Sequence, residues 1–394
     1  MIPSYRASFN ASWTEAKFGR FRSIVESHAE GPLGFPLAET PCFFPQSLMN
    51  RLTVAANELI RQSLANSEHA AESAVPERFR GPNAEAHPTF LQVDFGLVSE
   101  GGQIQPKLVE LQAFASLYGF QRAVARAYQE AFDLPATLTP YLGGLDDRGY
   151  DDLVGRAIVN GHDPEQVVLM EIEPRKQKTW PDFAVTEKQW GVRPVDISEV
   201  TREGRRLFYQ RDGRRVPIAR IYNRVIPDEL ERKGLSLAFD YRDDIDVEWA
   251  GHPSWFFKIS KFSIPRLTHP SVPQTWFLDE LREIPADRER YLLKPLFSFA
   301  GSGIIFSPTD ADLAFARRNG PHDFILQERI QFTPVIDTPE GPTQAEIRMM
   351  YVWPPKGSLQ PVLPLIRLGR GKMMGVDHNK GLRWVGASAG LIAE

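Results

Sequence analysis

Cysteine is almost missing: Cys42 is the single thiol in 394 residues. One thiol closes no internal disulfide and builds no thiolate metal centre, so a reducing, cytoplasmic setting is expected. Its TPCFFPQ surroundings offer no activating base, and Cys42 reads as a small apolar residue. No apolar run approaches the ~20 residues that span a bilayer, so no membrane role is expected. The opening MIPSYRASFNASWTEAKFGRF lacks the apolar stretch of a signal peptide. Neither sign of charge prevails: 46 basic and 50 acidic residues are interspersed, which argues against a nucleic-acid surface. HExxH is absent, which removes the usual zinc-peptidase setting. GxxxxGK[ST] and GxGxxG are also absent, so neither a P-loop nor a dinucleotide fingerprint is present.

What remains is a chain of ordinary globular composition, long enough for two or three packed layers. Residues 1–85 read as mostly helical, with apolar residues at helical spacing from Leu48 to Ile60. Residues 90–98 and 107–113 read as strands joined at the turn Gly101-Gly102, and Tyr118 to Phe132 as a helix. From about 160 the pattern alternates: QVVLMEI and RPVDISEV as strands, PDFAVTEKQWGV as a helix ending at Gly191, and a hairpin turning at Asp212-Gly213. That is a small Rossmann-like α/β unit. Beyond 250, WFFKISKF reads as a helix, YLLKPL and FILQERI as strands, and the segment from Ser307 as a helix with Asp310 at its N-cap. Short strands alternate to the end of the chain. The fold class expected is α/β (α+β), with divisions at 1–85, 86–150, 151–250, 251–330 and 331–394.

Two groups of residues carry chemistry. Lys294 ends a strand and precedes a loop closing in Gly301-Ser302-Gly303. Glycines let backbone N–H groups approach phosphate oxygens, and the lysine adds a point charge. The other reading is a hairpin with a snorkelling lysine. Asp94, Glu110 and Gln112 lie on two adjacent strands, and Glu110 and Gln112, two apart, point the same way. A carboxylate inside an apolar strand is costly unless it is paired or metal-bound. Mg²⁺ takes hard oxygen ligands of this kind, and a structural salt bridge is the competing reading. Arg348, Arg367 and Arg224 each stand in apolar strand-like segments, where an arginine either pairs with a buried acid or binds an anion. Glu346, two residues before Arg348, is a ready ion-pair partner for it. Gln327 and Glu328 end an apolar strand whose backbone suits an adenine edge.

In this order the motifs resemble the ATP-grasp superfamily, and within it the circularly permuted proteins similar to glutathionylspermidine synthetase. The resemblance runs from VDFG with Asp94 and KLVELQAF with Glu110, through IYNRV with Arg224 and KISKFSIP with Lys261. It continues in YLLKPL with Lys294, FILQERI, EIRMMYVW with Arg348 and PVLPLIRLG with Arg367. Gln112 stands where the family has asparagine. The resemblance implies a permuted ATP-grasp core, a Rossmann-like subdomain and a small lid. It implies an ATP- and Mg²⁺-dependent ligase joining small-molecule carboxylate and amine substrates. Asp94, Glu110 and Gln112 would hold Mg²⁺; Lys261, Lys294, Ser298, Gly301, Ser302, Gly303 and Arg367 would meet the nucleotide phosphates. Gln327 and Glu328 would meet the adenine, Arg348 the transferring phosphoryl group and Arg224 the carboxylate substrate. A phosphotransferase on the same fold, or a non-catalytic nucleotide- or partner-binding protein, is the alternative.

Overall fold

The computed structural model describes residues 1–298, 301–320, 322–374, 379 and 381–394. Helices α1 (Pro3–Ser12) and α2 (Glu15–His28) lead to a short strand β1 (Cys42–Pro45) and the long helix α3 (Gln46–Ala74). Strands β2 (Phe90–Glu100) and β3 (Gln103–Gln112) follow as a hairpin. Its turn requires positive φ at Gly101 and Gly102, which only glycine adopts without strain. Helices α4 (Tyr118–Ala131) and α5 (Asp147–Val159) precede β4 (Val167–Glu171), α6 (Trp180–Trp190) and β5 (Arg193–Asp196). Gly191, in the left-handed region, stops α6 where the sequence predicts.

A small antiparallel sheet, β6 (Thr201–Glu203), β7 (Arg206–Arg211) and β8 (Arg214–Ile218), contains the expected turn at Asp212-Gly213. Then come β9 (Arg220–Asn223), α7 (Pro227–Lys233), β10 (Glu248–Ala250) and α8 (Ser254–Lys258). The last part holds β11 (Thr275–Phe277), β12 (Tyr291–Pro295), β13 (Ile305–Phe306), α9 (Asp310–Asn319), β14 (Phe324–Glu328), β15 (Gln344–Val352), β16 (Gln360–Gly369) and β17 (Gly386–Ala393).

The largest sheet runs β1-β17-β16-β15-β2-β3, so the β2–β3 hairpin forms one edge and the last three strands join it to the first strand at the other. A parallel sheet runs β10-β9-β4-β5, and a third sheet runs β11-β14-β12-β13. Alternation on β2 and β15 sorts the large sheet into two faces. Leu91, Val93, Phe95, Ile347 and Met349 pack against Leu48, Leu52 and Leu59 of α3. The even-numbered residues between them face the opposite way, toward the candidate site.

Three expectations change. WFFKISKF is not one helix: α8 stops at Lys258, and a 3₁₀ segment, Lys261–Arg266, carries Lys261. Ser260 accepts from the Phe262 N–H and resets the backbone between the two. Helix α9 is capped by Thr309 rather than Asp310, because Asp312 completes a capping box with Thr309. RPVDISEV is a strand only to Asp196, whose side chain turns back to accept from Ser198 N–H.

Candidate functional site

The site face of the large sheet is built by register. Asp94 on β2 lies opposite Arg348 on β15 and Glu110 on β3. Glu346 lies opposite Arg367 on β16. A β-bulge follows Asp94: Asp94 pairs with Glu110 but Phe95 pairs with Leu108, leaving Val109 as the extra residue. The bulge keeps Glu110 on the side of Asp94 while the rest of β3 stays in phase with the core, a device common beside active sites.

Asp94 is 3% exposed, and both of its oxygens are held by Arg348, Oδ1 by Nε and Oδ2 by Nη2, each at 2.6 Å. Arg367 adds a contact to Asp94 Oδ2 at 3.3 Å and pairs with Glu346. The Glu346–Arg348 ion pair that stood as the alternative for Arg348 does not form; the pairs are Asp94–Arg348 and Glu346–Arg367, because residues opposite each other across a ladder lie closer than residues two apart on one strand. Burial opposes ionisation of Asp94, yet the Arg348 and Arg367 guanidiniums outweigh it and hold the carboxyl below its ordinary range. For Glu346 burial dominates and, with the Asp94 charge, raises the carboxyl against the pull of Arg367.

Two lysines close the site from the other side. Lys261 Nζ donates to Glu110 Oε1 at 3.1 Å and to the Ser298 carbonyl at 2.7 Å, tying the start of the glycine loop to the β3 acid. Lys294 is buried, donates to Gln327 Oε1 at 2.5 Å and reaches the carbonyl of the bulged Val109 at 3.4 Å. Burial pulls its ammonium down to about 8, with Glu110 resisting and the Lys261 charge adding to the shift. Four cations, Lys261, Lys294, Arg348 and Arg367, therefore meet three acids, Asp94, Glu110 and Glu346. The surplus is positive, the sign an anionic ligand requires.

The remaining expected residues lie as follows. Gln112 donates its amide N–H to Gln92 Oε1 at 2.6 Å, and Gln92 donates to the Ser116 carbonyl at 2.9 Å. Gln327 also donates to Thr275 Oγ1 at 3.2 Å, and Glu328 pairs with Arg290 at 2.8 Å. Gly301 and Gly303 have φ of +77° and +74°, and a Cβ at Gly303 would stand 2.8 Å from Pro295 Cγ. Ser302 lies between them, exposed. Phe299 and Ala300 of the loop lie outside the described residues. Arg224 is apart from this group: it is 2% exposed and pairs with Asp182 at 2.7 Å. Asp182 in turn accepts N–H groups of Leu117, Gly119 and Phe120 at the start of α4. That arrangement is a helix N-terminus neutralised by an acid that also compensates the arginine.

Glu110, about 30% exposed at its side chain, has the chemistry of a Mg²⁺ ligand, with the Gln112 amide beside it on the same strand. Asp94, expected as a ligand, has both oxygens engaged by guanidinium. Among the described residues no group of three or more His, Cys, Asp and Glu side chains is gathered as a metal site. The bulge at Val109, the Gln92 relay and the role of Asp182 were not foreseen. Each depends on register or on a contact across the chain that no local pattern encodes.

No protein-family model matches the chain, and no curated protein sequence does. The fold is nonetheless shared with a solved structure, the apo form of a glutathione synthetase-like effector from Globodera pallida. The two superpose with a TM-score of 0.58 over 96% of each chain at 12% identity. The chain therefore has a mixed α/β fold of the glutathione synthetase-like kind. No helix among the described residues is long and apolar enough to cross a membrane.

Proposed function

We propose that this protein is an ATP-dependent carboxylate–amine ligase on a circularly permuted ATP-grasp core. The observation that carries the reading is the convergence of Lys261, Lys294, Arg348 and Arg367 on Glu110 and Asp94. Lys261 and Glu110 are 151 residues apart, and Arg348 and Asp94 are 254 apart. Nothing local forces such a meeting. In the proposed reaction a substrate carboxylate oxygen attacks the γ-phosphorus of ATP and ADP leaves. An amine nitrogen then attacks the acyl carbon, phosphate leaves, and the amine gives up its proton to solvent.

The protein's part is positioning and charge neutralisation. Lys261 and Lys294 would bind the phosphates, and the loop at Ser298, Gly301, Ser302 and Gly303 would offer backbone N–H groups. Arg348, oriented by both oxygens of Asp94, would face the transferring group with Arg367 beside it. The strand end at Gln327 and Glu328 would border the adenine. Mg²⁺ held at Glu110, with Gln112 adjacent, would supply further neutralisation of phosphate charge. Arg224 would act on a carboxylate substrate only by exchanging Asp182 for it. A non-catalytic reading rests on one observation, that Asp94 is already satisfied by Arg348.

Thermal-shift titration with Mg·ATP and Mg·ADP tests nucleotide binding; ligand at a hundredfold excess over Kd stabilises by about 2.7 kcal/mol. Phosphate release is then screened with amino acids and polyamines. Amine-dependent release supports the ligase, and release with a hydroxyl acceptor supports a phosphotransferase. Stabilisation with no release in any mixture supports the non-catalytic protein. Absence of any Mg-dependent stabilisation would rule out the nucleotide site.

A further inference from the structure

The hydrogen bonds that end at Gln112 run in one direction, and a backbone carbonyl sets it. The Ser116 carbonyl can only accept, so the group of Gln92 that meets it at 2.9 Å is the amide nitrogen. Gln92 Oε1 is thereby turned toward Gln112. That oxygen also only accepts, so Gln112 presents its NH₂ to it, at 2.6 Å. Gln92 is fully buried, and water does not compete for either bond. Gln112 Oε1 is left over. It accepts from no group among the described residues, and it is not shut off from solvent as the protein's partnerless buried atoms are. Gln92 lies opposite Gln112 as Asp94 lies opposite Glu110, two residues along each strand. The unclaimed oxygen therefore stands on the face that carries Glu110.

The far end of the chain is as firmly held. The peptide whose C=O meets Gln92 is the one whose N–H, that of Leu117, donates to Asp182 Oδ2 at 3.0 Å. Arg224 holds the same oxygen at 2.7 Å. Leu117 has φ +65° and ψ 24°, the left-handed region that a leucine rarely adopts. Such a conformation persists only where its surroundings impose it. Asp182 does so by taking the N–H groups of Leu117, Gly119 and Phe120. A glutamine able to turn over offers oxygen or NH₂ alike. One whose NH₂ is claimed offers only oxygen, the atom a hard cation takes.

We infer that Gln92 is a positioning residue for the cation site at Glu110, locking the Gln112 amide with its oxygen outward as a ligand for Mg²⁺. The Ser116–Leu117 peptide, pinned by Asp182 and Arg224, is the fixed point from which it acts. The inference rests on the nucleotide and metal reading of the site, and it gives Arg224 a part that needs no exchange of Asp182. Groups that orient a metal ligand without touching the metal govern affinity by roughly 10–100-fold.

The test is the Mg²⁺ concentration that gives half of the full thermal stabilisation by ADP, measured on the whole chain. Gln92→Met and Gln112→Met are each expected to raise that concentration about tenfold or more. The double variant should need no more Mg²⁺ than Gln112→Met alone, since the relay acts only through Gln112. Gln92→Glu, which accepts from Gln112 in either protonation state, should need no more than the wild type. At saturating Mg²⁺ every variant should reach the wild-type stabilisation by ADP, which a merely structural loss would lower. An unchanged Mg²⁺ requirement in either methionine variant, additive losses in the double variant, or a rise in Gln92→Glu equal to that in Gln92→Met would each overturn the relay. Wild-type protein that ADP and Mg²⁺ do not stabilise would instead remove the nucleotide site, and this role with it.

Discussion

At the residue scale the Asp94–Arg348 pair decides most. Two charges withdrawn from water are tolerated because each of the acid's oxygens meets a guanidinium N–H, and removing one partner strands the other. Asp94→Asn is expected to destabilise the protein by about 3–5 kcal/mol. The double variant Asp94→Leu/Arg348→Leu should recover much of that loss, since two apolar side chains leave no charge behind. Urea midpoints of the three proteins check this; a double variant no more stable than the single would mean that the pair itself holds the sheet. Lys294 makes a prediction of different sign. Its folded ammonium loses its proton near 8, while an unfolded lysine keeps it to about 10.4. Between those values the unfolded chain binds more protons, so the stability contributed by this group rises with pH. Lys294→Met should remove that rise. Mg·ATP stabilisation of the wild type should instead weaken above pH 8, as the uncharged amine loses its hold on phosphate. A thermal-shift series from pH 7 to 9.5 in which nucleotide stabilisation stays flat would detach Lys294 from the phosphates.

Elements were legible where a local signal exists. The β2–β3 hairpin announced itself through Gly101-Gly102, and α6 through Gly191, because positive φ narrows the choice of residue. Helix α9 was found, but its cap was displaced by one residue: SPTD offers three oxygen-bearing candidates, and only the reciprocal bonds of Thr309 and Asp312 choose among them. Thr309→Ala should therefore cost about 1 kcal/mol, whereas Asp310→Ala should cost only the small helix-dipole and Arg288 ion-pair contributions. Denaturant midpoints separate the two, and a larger loss at Asp310 would restore it as the cap. The candidate site was legible in part for the same reason. Glu110 and Lys294 stand out as charges in apolar strands, Lys261 came from the family resemblance, and the three gather. The partner of each charge was not legible, since pairing follows register across strands. Arg348 took Asp94 instead of Glu346 for that reason, and Arg224, just past β9, took Asp182 on helix α6, a contact between elements distant in sequence.

At the scale of the whole molecule, the α/β class read from the sequence agrees with a structural likeness, where no sequence comparison matches. At 12% identity the effector of known structure shares its fold with this chain. One fold can be reached by very different sequences, because cores accept changes that keep volume and polarity. What order alone could not show is the closure of the large sheet, in which β17 lies between β1 and β16 and every charged partner of Asp94 comes from the far end of the chain.

That closure sets a timetable for biosynthesis. The hairpin bearing Asp94 leaves the ribosome 254 residues before Arg348. At the usual 5–20 residues per second the interval is on the order of 10–50 s. Throughout it neither of the two arginines that pair with Asp94 in the folded protein has been made. An ionised Asp94 is costly to bury until β15 and β16, which carry Arg348 and Arg367, have been made. The acid that holds Arg348 in the folded protein is thus, tens of seconds earlier in synthesis, an unpaired charge that disfavours early burial of its own strand.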